Sequence, residues 1–254
     1  MSRKRLDLLL VERGLAESRS QAQAIVMAGL VAGHPKAGEL VEEDAPLQVE
    51  APPPYVSRAG GKLANALEAF GISVAGLDCL DVGASTGGFS DVLLQRGAAR
   101  VIALDVGYGQ LHPKLRDDPR VTVLERLNAR SLTELPFAPR LVTCDVSFIS
   151  VKLALPPALR LAASGWQALV LVKPQFEAGR AEVRKGVVRD PAVQRRVVRE
   201  AAEALLASGG VPHGVVDSGV PGPKGNHEFV LHLVHAENPE LPKRLDDWIA
   251  AAVG

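Results

Sequence analysis

The sequence has little of what a membrane protein, a disulfide-bonded protein or a metalloprotein would show. Its only two cysteines, Cys79 and Cys144, lie in apolar runs that predict buried strands, so we expect neither a disulfide nor a metal site. No apolar run reaches the roughly 18–20 residues of a membrane-spanning helix. Asp7, Glu12 and Arg13 interrupt the basic start of the chain too early for a signal peptide. We therefore expect a soluble cytoplasmic protein.

An excess of charge of either sign is also missing, because 29 basic residues balance 29 acidic ones. The overall charge thus gives no indication of a nucleic-acid partner. The distribution is uneven, since residues 173–199 carry eight Lys and Arg against three Asp and Glu. Such a stretch is usually a solvated helix face. The stretch would indicate a nucleic-acid partner only if it borders a site that binds a polyanion.

Prolines divide the chain near residue 52. The run of three prolines at 52–54 cannot join a helix or a central strand, so it predicts a stiff linker. We assign residues 1–51 to a small α+β domain, residues 52–59 to the linker and residues 60–254 to an α/β domain. A chain of 254 residues is long enough for one large domain and a small accessory one.

The pattern of the first domain predicts two helices and a small β hairpin. Ser18, with Gln21 three residues later, forms a capping-box pattern that opens the second helix. The predicted elements are helices over residues 6–11 and 18–29 and β segments at 30–31 and 47–49. Such a unit has too little core for an enzyme and is the size of a binding module.

This first segment resembles the small RNA-binding domain of a ribosomal small-subunit protein, which pseudouridine synthases and tyrosyl-tRNA synthetases share. The matching residues are Arg5-Leu6-Asp7, Leu9, Leu10, Val11, Arg13-Gly14-Leu15-Ala16, Ser18-Arg19 and Ala22. The resemblance implies that Arg5 and Arg19 contact RNA phosphates. The alternative is that Arg19 is an ordinary cation at a helix start and the unit is a dimerisation cap.

The second domain alternates apolar strands with helical patterns, which predicts a parallel sheet with helices on both faces. The seven predicted strands cover residues 79–82, 100–104, 121–124, 141–144, 168–172, 213–216 and 229–234. A seven-stranded sheet fits the methyltransferase variant of the Rossmann-like α/β fold.

A loop of small residues follows the first of these strands. Small side chains let a nucleotide-like ligand approach the backbone N–H groups at the carboxyl end of a strand. The loop is neither Gly-x-Gly-x-x-Gly nor a phosphate-binding P-loop. The acid before it suits a cationic ligand, so S-adenosylmethionine is the first candidate cofactor. The candidate cofactor-binding residues here are Asp81, Gly83, Ala84, Ser85, Thr86, Gly87, Gly88 and Phe89.

Two later positions fit the rest of such a ligand. Asp105 ends the second strand, where α/β nucleotide-binding proteins place an acid against the ribose hydroxyls, and Val106 follows it. Asn128 follows the third strand, where the adenine edge would lie. A loop-capping role for Asn128 is an equally good interpretation.

Four charged residues fall at the ends of elements in this domain. Asp145 follows the fourth strand, Lys173 follows the fifth and precedes a proline, Lys62 lies near the start of the first helix, and Glu228 precedes the last strand. Because the carboxyl ends of parallel strands share one edge, we expect Asp145 and Lys173 to lie together. Any one of the four alone could be a member of a structural ion pair.

Together these four residues resemble the Lys-Asp-Lys-Glu tetrad of ribose 2′-O-methyltransferases of the FtsJ type. With the first domain, the whole chain is similar to the TlyA family of ribosomal RNA 2′-O-methyltransferases, also known as haemolysins. Residues 81–89, 105–111, 145–150 and 172–177 carry the most specific matches, while Ala59 replaces a glycine common in the family. The resemblance implies methyl transfer from S-adenosylmethionine to a ribose, of cytidine in particular, in ribosomal RNA or ribosomal subunits.

The resemblance also implies roles. We expect Lys173 to deprotonate or orient the 2′-hydroxyl, and Asp145 to position Lys173 and to lie near the methionine amine of the cofactor. Lys62 and Glu228 would complete the network and hold the ribose. The further RNA-binding candidates are Arg58, Arg184, Lys185 and Arg189.

Three other functions compete with this interpretation. A dinucleotide-dependent oxidoreductase would explain Gly83 and Asp105 but not two lysines with two acids. A membrane-active cytolysin lacks support from a spanning segment or a strongly amphipathic cationic helix. An RNA-binding protein with an inactive catalytic domain would not require the tetrad.

Overall fold

The computed structural model describes residues 2–27, 29–50 and 53–254 and divides the chain into two compact units, Met1–Pro54 and Tyr55–Gly254. Residue 52 of the expected linker lies outside the described residues. Residues 55–59 of that linker pack within the second unit instead. Val56 donates its backbone N–H to the Asp91 carboxylate at 2.9 Å, and the Tyr55 side chain lies against Gly60.

The first unit pairs two short helices with a small antiparallel ribbon. Its elements are β1 (Arg3–Arg5), α1 (Leu6–Glu12), α2 (Arg19–Met27) and β2 (Leu40–Glu42), with β1 paired to β2. The buried apolar side chains of the two helices, with Val31 and Val41, form its core.

Both predicted helices are present, but the predicted hairpin is wrong in position. The segments expected at 30–31 and 47–49 make only a single bridge, between Val31 and Val49. The regular strands lie at 3–5 and 40–42, where a run such as Arg-Lys-Arg has no apolar alternation that would indicate a strand. Tertiary pairing therefore decides their conformation.

The start of α2 shows most of the predicted capping pattern. The Ser18 hydroxyl accepts a hydrogen bond from the Gln21 backbone N–H at 3.2 Å. The Gln21 side chain reaches back to the backbone N–H of Glu17, at 2.6 Å, and not to that of Ser18. The helix ends at Met27, and residue 28 of the predicted helix lies outside the described residues.

The second unit is a seven-stranded sheet flanked by helices. Its elements in chain order are α3 (Ala59–Phe70), β3 (Asp78–Val82), α4 (Gly88–Gln95), β4 (Arg100–Leu104), α5 (Pro113–Arg116), β5 (Val121–Leu124), β6 (Leu141–Cys144), α6 (Val151–Ala154), α7 (Pro156–Arg160), β7 (Gln167–Val172), α8 (Pro174–Glu177), α9 (Pro191–Leu206), β8 (Gly210–Asp217), β9 (Phe229–His235) and α10 (Leu245–Val253). Short 3₁₀ turns lie at Ala129–Ser131 and Pro223–Gly225.

All seven predicted strands are present, and the order in the sheet is β5-β4-β3-β6-β7-β9-β8. The expectation of a wholly parallel sheet is wrong for one strand, since β9 runs antiparallel to both β7 and β8. The physical reason is the connection from β8 to β9. Residues 218–228 contain only a 3₁₀ turn, which is too short for the helical crossover that a parallel neighbour requires.

Apolar side chains cover both faces of the sheet. One layer packs α9 and α10 against the sheet around Val198, Leu205 and Ile249, and the other packs α3 and α4 around Leu63 and Phe89. Burial on both faces explains why the strands read as continuous apolar runs. The chain leaves β3 outward to β4 and β5 and returns to β6 on the other side of β3. The carboxyl ends of β3 and β6 therefore form the switch point at which α/β sheets bind ligands.

Candidate active site

The sheet brings four chemical groups to one edge. Gly83, Asp145 and Lys173 directly follow the parallel strands β3, β6 and β7. Glu228 directly precedes β9, and because β9 is antiparallel, its start lies at the edge where the other three strands end. The reversed strand, which the sequence pattern did not predict, is thus what places Glu228 at the site.

The predicted tetrad forms two buried ion pairs. The Lys173 ammonium lies 2.5 Å from Asp145 Oδ1 and donates to the Ser147 hydroxyl at 3.1 Å. The Lys62 ammonium lies 2.5 Å from Glu228 Oε2. Lys62 and Lys173 are only 7% and 8% exposed, and Glu228 is fully buried. Charges held this far from water keep a defined geometry because each one has an opposite partner.

Gln175 joins the Lys62–Glu228 pair and was not identified from the sequence. Its Nε2 donates to Glu228 Oε1 at 2.8 Å, so the carboxylate fixes the orientation of the amide. Its Oε1 is buried and has no hydrogen-bond partner among the described residues. The side chain therefore offers an acceptor beside the tetrad. Gln175 lies in the matched stretch 172–177, in the short helix α8, but its contact with Glu228 depends on the fold and has no local signal in the sequence.

Glu177 joins two loops of the site through hydrogen bonds, and it was not identified from the sequence. Its side chain, 1% exposed, accepts hydrogen bonds from the Ser150 hydroxyl at 2.6 Å and the Val151 backbone N–H at 2.8 Å. This ties the loop after β6, which carries Asp145, to the turn after β7, which carries Lys173. The two partners of the Lys173–Asp145 ion pair are thereby held in register.

A cavity of about 600 Å³ opens at the switch point. Six of the predicted cofactor residues line it: Gly83, Ser85, Asp105, Val106, Asn128 and Asp145. A smaller recess of about 150 Å³ shares residues with it and is lined by Ala84, Thr86, Gly88 and Phe89, together with Lys173. Asp145 and Lys173 of the tetrad thus face the same adjoining spaces as the small-residue loop, whereas Lys62 and Glu228 line neither space.

The backbone at Gly83 needs a glycine for two reasons. Its φ of +84° is disfavoured for other residues, and a Cβ there would lie 2.5 Å from the carbonyl oxygen of Asp145. The loop after β3 thus passes directly over the backbone of the residue that holds Lys173. Gly83 and Asp145 both line the cavity, so their close contact helps to determine its shape.

Asp105 and Asn128 are both partly engaged by their own loops. Asp105 accepts backbone hydrogen bonds from Ser85 at 2.7 Å and Gly107 at 2.6 Å, one on each carboxylate oxygen. Asn128 accepts from the Arg130 backbone N–H at 3.0 Å and so caps the 3₁₀ turn at Ala129–Ser131. The loop-capping interpretation of Asn128 therefore describes its carbonyl, while its side chain also lines the cavity.

Asp81 and Gly87 do not line either space. Asp81 is fully buried and accepts hydrogen bonds from Ser90, through both its backbone N–H and its hydroxyl, and from the Thr143 hydroxyl. It joins β3 to the first turn of α4 and to β6. Gly87, at φ +97°, lies against leucines of the segment after β4. Both residues thus support the loop through contacts with neighbouring elements. The sequence alone had predicted that both contact the cofactor directly.

Burial raises the pKa of the Asp81 carboxyl to about 7, although its hydrogen bonds oppose the shift. The folded state thus keeps a proton that the unfolded chain releases near pH 4. We expect the free energy of unfolding to fall as the pH rises from about 4 to 7, by on the order of 3 kcal/mol for this group. Asp81→Asn should remove that part of the pH dependence. Urea unfolding gives the free energy of unfolding at pH 5 and at pH 8. If that free energy changes by the same amount between the two pH values in wild type and variant, the prediction is wrong. Asp117→Asn, at an exposed position, is the control.

In the first unit, Arg5 and Arg19 converge on one buried carboxylate. Arg5 Nη2 and Arg19 Nε lie 2.9 and 3.0 Å from Asp7 Oδ2, and Gln23 donates to the same oxygen at 2.9 Å. The hydrogen bond from Arg5 is the largest influence holding the pKa of Asp7 well below its usual range. Two guanidinium groups share a single anion, so the cluster keeps an excess positive charge at the surface.

The basic stretch of residues 173–199 separates into two parts. On α9, Arg196 pairs with Glu182 and Glu200, and Arg199 pairs with Glu203 and Asp246. This part is an ion-paired, solvated helix face. The candidates Arg184, Lys185 and Arg189, and also Arg58 before α3, are exposed and have no carboxylate within 4 Å among the residues that the structure describes.

An aromatic side chain marks the mouth of the cavity and was not singled out from the sequence. Phe148 is 91% exposed, has a φ of +64° and packs on Phe176 with ring centroids 5.0 Å apart. Phe148 also lines the 600 Å³ cavity. A phenylalanine in a left-handed conformation is a rare and strained arrangement, and such strain concentrates at functional sites.

The sheet order, the cavity at the switch point and the small-residue loop over it define the chain as an S-adenosylmethionine-dependent methyltransferase with a Rossmann-like fold. Comparison of the sequence with protein families agrees, since residues 55–235 match the FtsJ-like methyltransferase model and residues 4–32 match the S4 domain. The chain belongs to the FtsJ-like methyltransferases, and among them to the TlyA family.

Named relatives support this assignment. The 16S/23S rRNA (cytidine-2′-O)-methyltransferase TlyA of Mycobacterium tuberculosis is 46% identical, over 99% of this chain and 97% of the relative. Hemolysin A of Brachyspira hyodysenteriae is 40% identical, over 91% of this chain and 99% of the relative. The methyltransferase and hemolysin names thus fall on chains that are similar to this one over nearly the same span.

Solved structures give the same result. A protein named as a hemolysin from Streptococcus thermophilus superposes with a TM-score of 0.76 and 39% identity, covering 99% of this chain and 96% of that one. An S-adenosylmethionine-dependent methyltransferase from Mesorhizobium loti has 16% identity and a TM-score of 0.51 over 69% of this chain and 98% of its own, which shows the shared fold alone. Within residues 2–27, 29–50 and 53–254, no helix has the length and apolar character needed to cross a membrane.

Proposed function

We propose that this enzyme transfers a methyl group from S-adenosylmethionine to the 2′-hydroxyl of a cytidine in ribosomal RNA. The observation that carries the proposal is the pair of buried lysine–carboxylate contacts beside the cavity. The name of the M. tuberculosis relative, with its nearly full-length similarity, supports the choice of cytidine and of ribosomal RNA.

The residues around the cavity fit S-adenosylmethionine. Gly83 leaves the backbone open, and Asp105 and Asn128 line the part of the cavity suited to a ribose and an adenine edge. Asp145, which lines both spaces, is placed to hold a cationic group such as the methionine amine. When bound, the cofactor supplies a methyl group on a sulfonium, which is the electrophile of the reaction.

Lys173 is the residue that we assign to the target hydroxyl. An ammonium has three hydrogen-bonding directions besides its carbon stem. The Ser147 hydroxyl accepts from one of them and the Asp145 carboxylate lies 2.5 Å from the nitrogen as an ion-pair partner, which leaves a direction for the 2′-oxygen. Because both partners are fixed by the sheet edge, the lysine holds the hydroxyl in a single orientation for in-line transfer.

Lys62, Glu228 and Gln175 are assigned to the ribose itself. The Lys62–Glu228 pair is buried, and the unpartnered Oε1 of Gln175 adds an acceptor for a neighbouring hydroxyl. The exposed Phe148 offers a flat apolar surface on which a displaced base can stack. A target nucleotide in helical RNA has to leave the stack before it reaches such a site.

RNA docking is assigned to the S4 domain and to loop cations of the second unit. Arg5 and Arg19 present guanidinium groups that Asp7 holds in place, and such donors suit phosphate oxygens. If the unit instead serves as a dimerisation cap, removal of both arginines should leave the affinity for RNA unchanged.

The direct test measures transfer of tritium from labelled S-adenosylmethionine to free ribosomal RNA, to isolated subunits and to whole ribosomes. We expect label in at least one of these substrates, and a single cytidine whose 2′-O-methyl group blocks alkaline cleavage. Folded protein that binds the cofactor but labels none of the three would overturn the proposal. Dye release from liposomes by the same preparation would instead favour a membrane-active function.

A further inference from the structure

Hydrogen bonds join two loops of the second unit, residues 184–190 and residues 222–227, which we together call the double loop. Asn226, only 2% exposed, accepts a hydrogen bond from the Val188 backbone N–H at 3.2 Å and donates to the carbonyls of Gly186 at 2.9 Å and Pro223 at 3.0 Å. Gln194 of α9 donates to the Val188 carbonyl at 2.8 Å. A buried, satisfied amide of this kind fixes the relative position of the two loops.

The double loop carries cations that lack carboxylate partners. Lys185, Arg189 and Lys224 are exposed, and none has a carboxylate within 4 Å among the described residues. The Lys224 ammonium donates to the backbone carbonyl of Lys185 at 3.2 Å instead. Two carboxylates lie in or beside the double loop: Asp190 caps the first turn of α9, and Asp217 lies 3.0 Å from His227, so neither pairs with the three cations. This arrangement differs from α9, where Arg196 and Arg199 are paired.

Two of these cations border a cavity of about 360 Å³, which Lys185 does not line. Arg189, Lys224 and His227 line it, together with Pro191 in the first turn of the 16-residue helix α9. The N-terminal end of a helix carries partial positive charge, which adds to that of the side chains. A concave, rigid surface with several unpaired cations attracts an anion with fixed geometry, and phosphate is the anion that RNA presents.

The backbone conformation supports a role for the lysine side chain. Lys224 has a φ of +58°, a conformation that costs a residue with a Cβ about 1 kcal/mol or more relative to glycine. Gly225 beside it, at φ +79°, shows the residue type that such a turn favours. A cation is therefore held at a position where its backbone is strained.

The double loop lies next to the tetrad. A Cβ at Gly222 would collide with the Glu228 carboxylate, so the loop backbone rests directly on that group. His227 immediately precedes Glu228 in the chain. An anion bound at the double loop would thus lie close to the ribose that the tetrad holds.

We propose that the double loop, through Lys224, Arg189 and Lys185, binds a backbone phosphate of the RNA strand that carries the target ribose. This inference rests on the proposed function, which it extends by naming where the strand is held beside the active site. Such a contact positions the RNA without taking part in the chemical step, so its loss affects RNA binding more than turnover.

The test uses the full chain with Lys224→Gln, Lys224→Gly and Lys224→Arg, and with Lys243→Gln as the matched control at an exposed lysine elsewhere. For methylation of isolated large subunits, we expect Lys224→Gln and Lys224→Gly to raise KM about five- to tenfold with kcat within about twofold of wild type. The slope of log affinity against log salt should fall by about one, as for the loss of one phosphate contact. Lys224→Arg and Lys243→Gln should resemble wild type. Lys224→Gly should also raise the melting temperature, because it relieves the backbone.

The outcomes separate this inference from the proposed function. Wild-type protein that methylates no ribosomal RNA would overturn the function, while filter binding of large-subunit RNA would still report on the double loop. Active Lys224 variants with unchanged KM and salt slope would overturn the double-loop inference and leave the function intact. A fall in kcat alone would also contradict it, because that result would place Lys224 in the chemical step.

Discussion

Lys173→Ala should lower the rate of methyl transfer about a thousandfold, while the affinity for S-adenosylmethionine stays within a few-fold of wild type. Lys173 lines the smaller recess, and its ammonium contacts Asp145 and Ser147, which line both that recess and the larger cavity. Loss of a group that orients or deprotonates the nucleophile costs about two to four orders of magnitude. Single-turnover transfer to ribosomal RNA measures the rate, and calorimetry measures cofactor binding.

Two further variants keep this prediction falsifiable. Lys243→Ala removes an exposed lysine and should retain full activity. Lys173→Gln keeps a polar partner for Asp145, which protects against the loss of stability that follows when a buried charge loses its partner. If folded Lys173→Gln retains more than about a tenth of the wild-type rate, the assignment of Lys173 to the target hydroxyl is wrong.

Gly83→Ala should weaken S-adenosylmethionine binding about a hundredfold or more and abolish activity with it. The new Cβ would lie 2.5 Å from the Asp145 carbonyl oxygen, and the φ of +84° adds strain of its own. Relief requires the loop after β3 or the loop after β6 to move, and both line the cavity. A hundredfold loss corresponds to about 3 kcal/mol, a normal cost for overpacking.

Gly76→Ala is the matched control for Gly83→Ala. Gly76 has a similar φ of +74°, but a Cβ there would meet nothing within 4 Å. It should lose about 1 kcal/mol of stability through backbone strain alone and keep its affinity for the cofactor. Calorimetry on both variants separates strain from collision. Equal affinities in the two would show that the close approach at Gly83 does not shape the cavity.

The parts of the fold that could be predicted are those with local signals. Most strands of the large sheet are buried apolar runs between turn residues, and β5 and β8 still contain short apolar segments, so all seven were found. The strands β1 and β2 were missed because each has only three residues and forms a strand only by pairing with a distant partner, and because β1 is polar throughout. The antiparallel direction of β9 was missed for a similar reason, since it depends on the path of the chain after β8.

The site divides in the same way. Asp145, Lys173 and Glu228 could be proposed because each directly follows or precedes a strand at one sheet edge, and Lys62 because it lies near the start of a helix. The roles of Gln175 and Glu177 depend on contacts with residues 53 and 26 positions away in the chain, which no local pattern shows. Sequence position also suggested that Asp81 contacts the cofactor, whereas its hydrogen bonds turn it into the packed interior.

By itself, the sequence determined the two-domain organisation, the class of fold and the family, because strand patterns, the small-residue loop and the tetrad are properties of short segments. Only the tertiary structure decided which charges are paired and which are free. Arg196 and Arg199 are paired with acids across α9 and its neighbours, whereas Lys185, Arg189 and Lys224 meet at the double loop without carboxylate partners. The physical reason is that electrostatic interaction depends on distance and burial in space, and residues far apart in the chain become neighbours only through the fold.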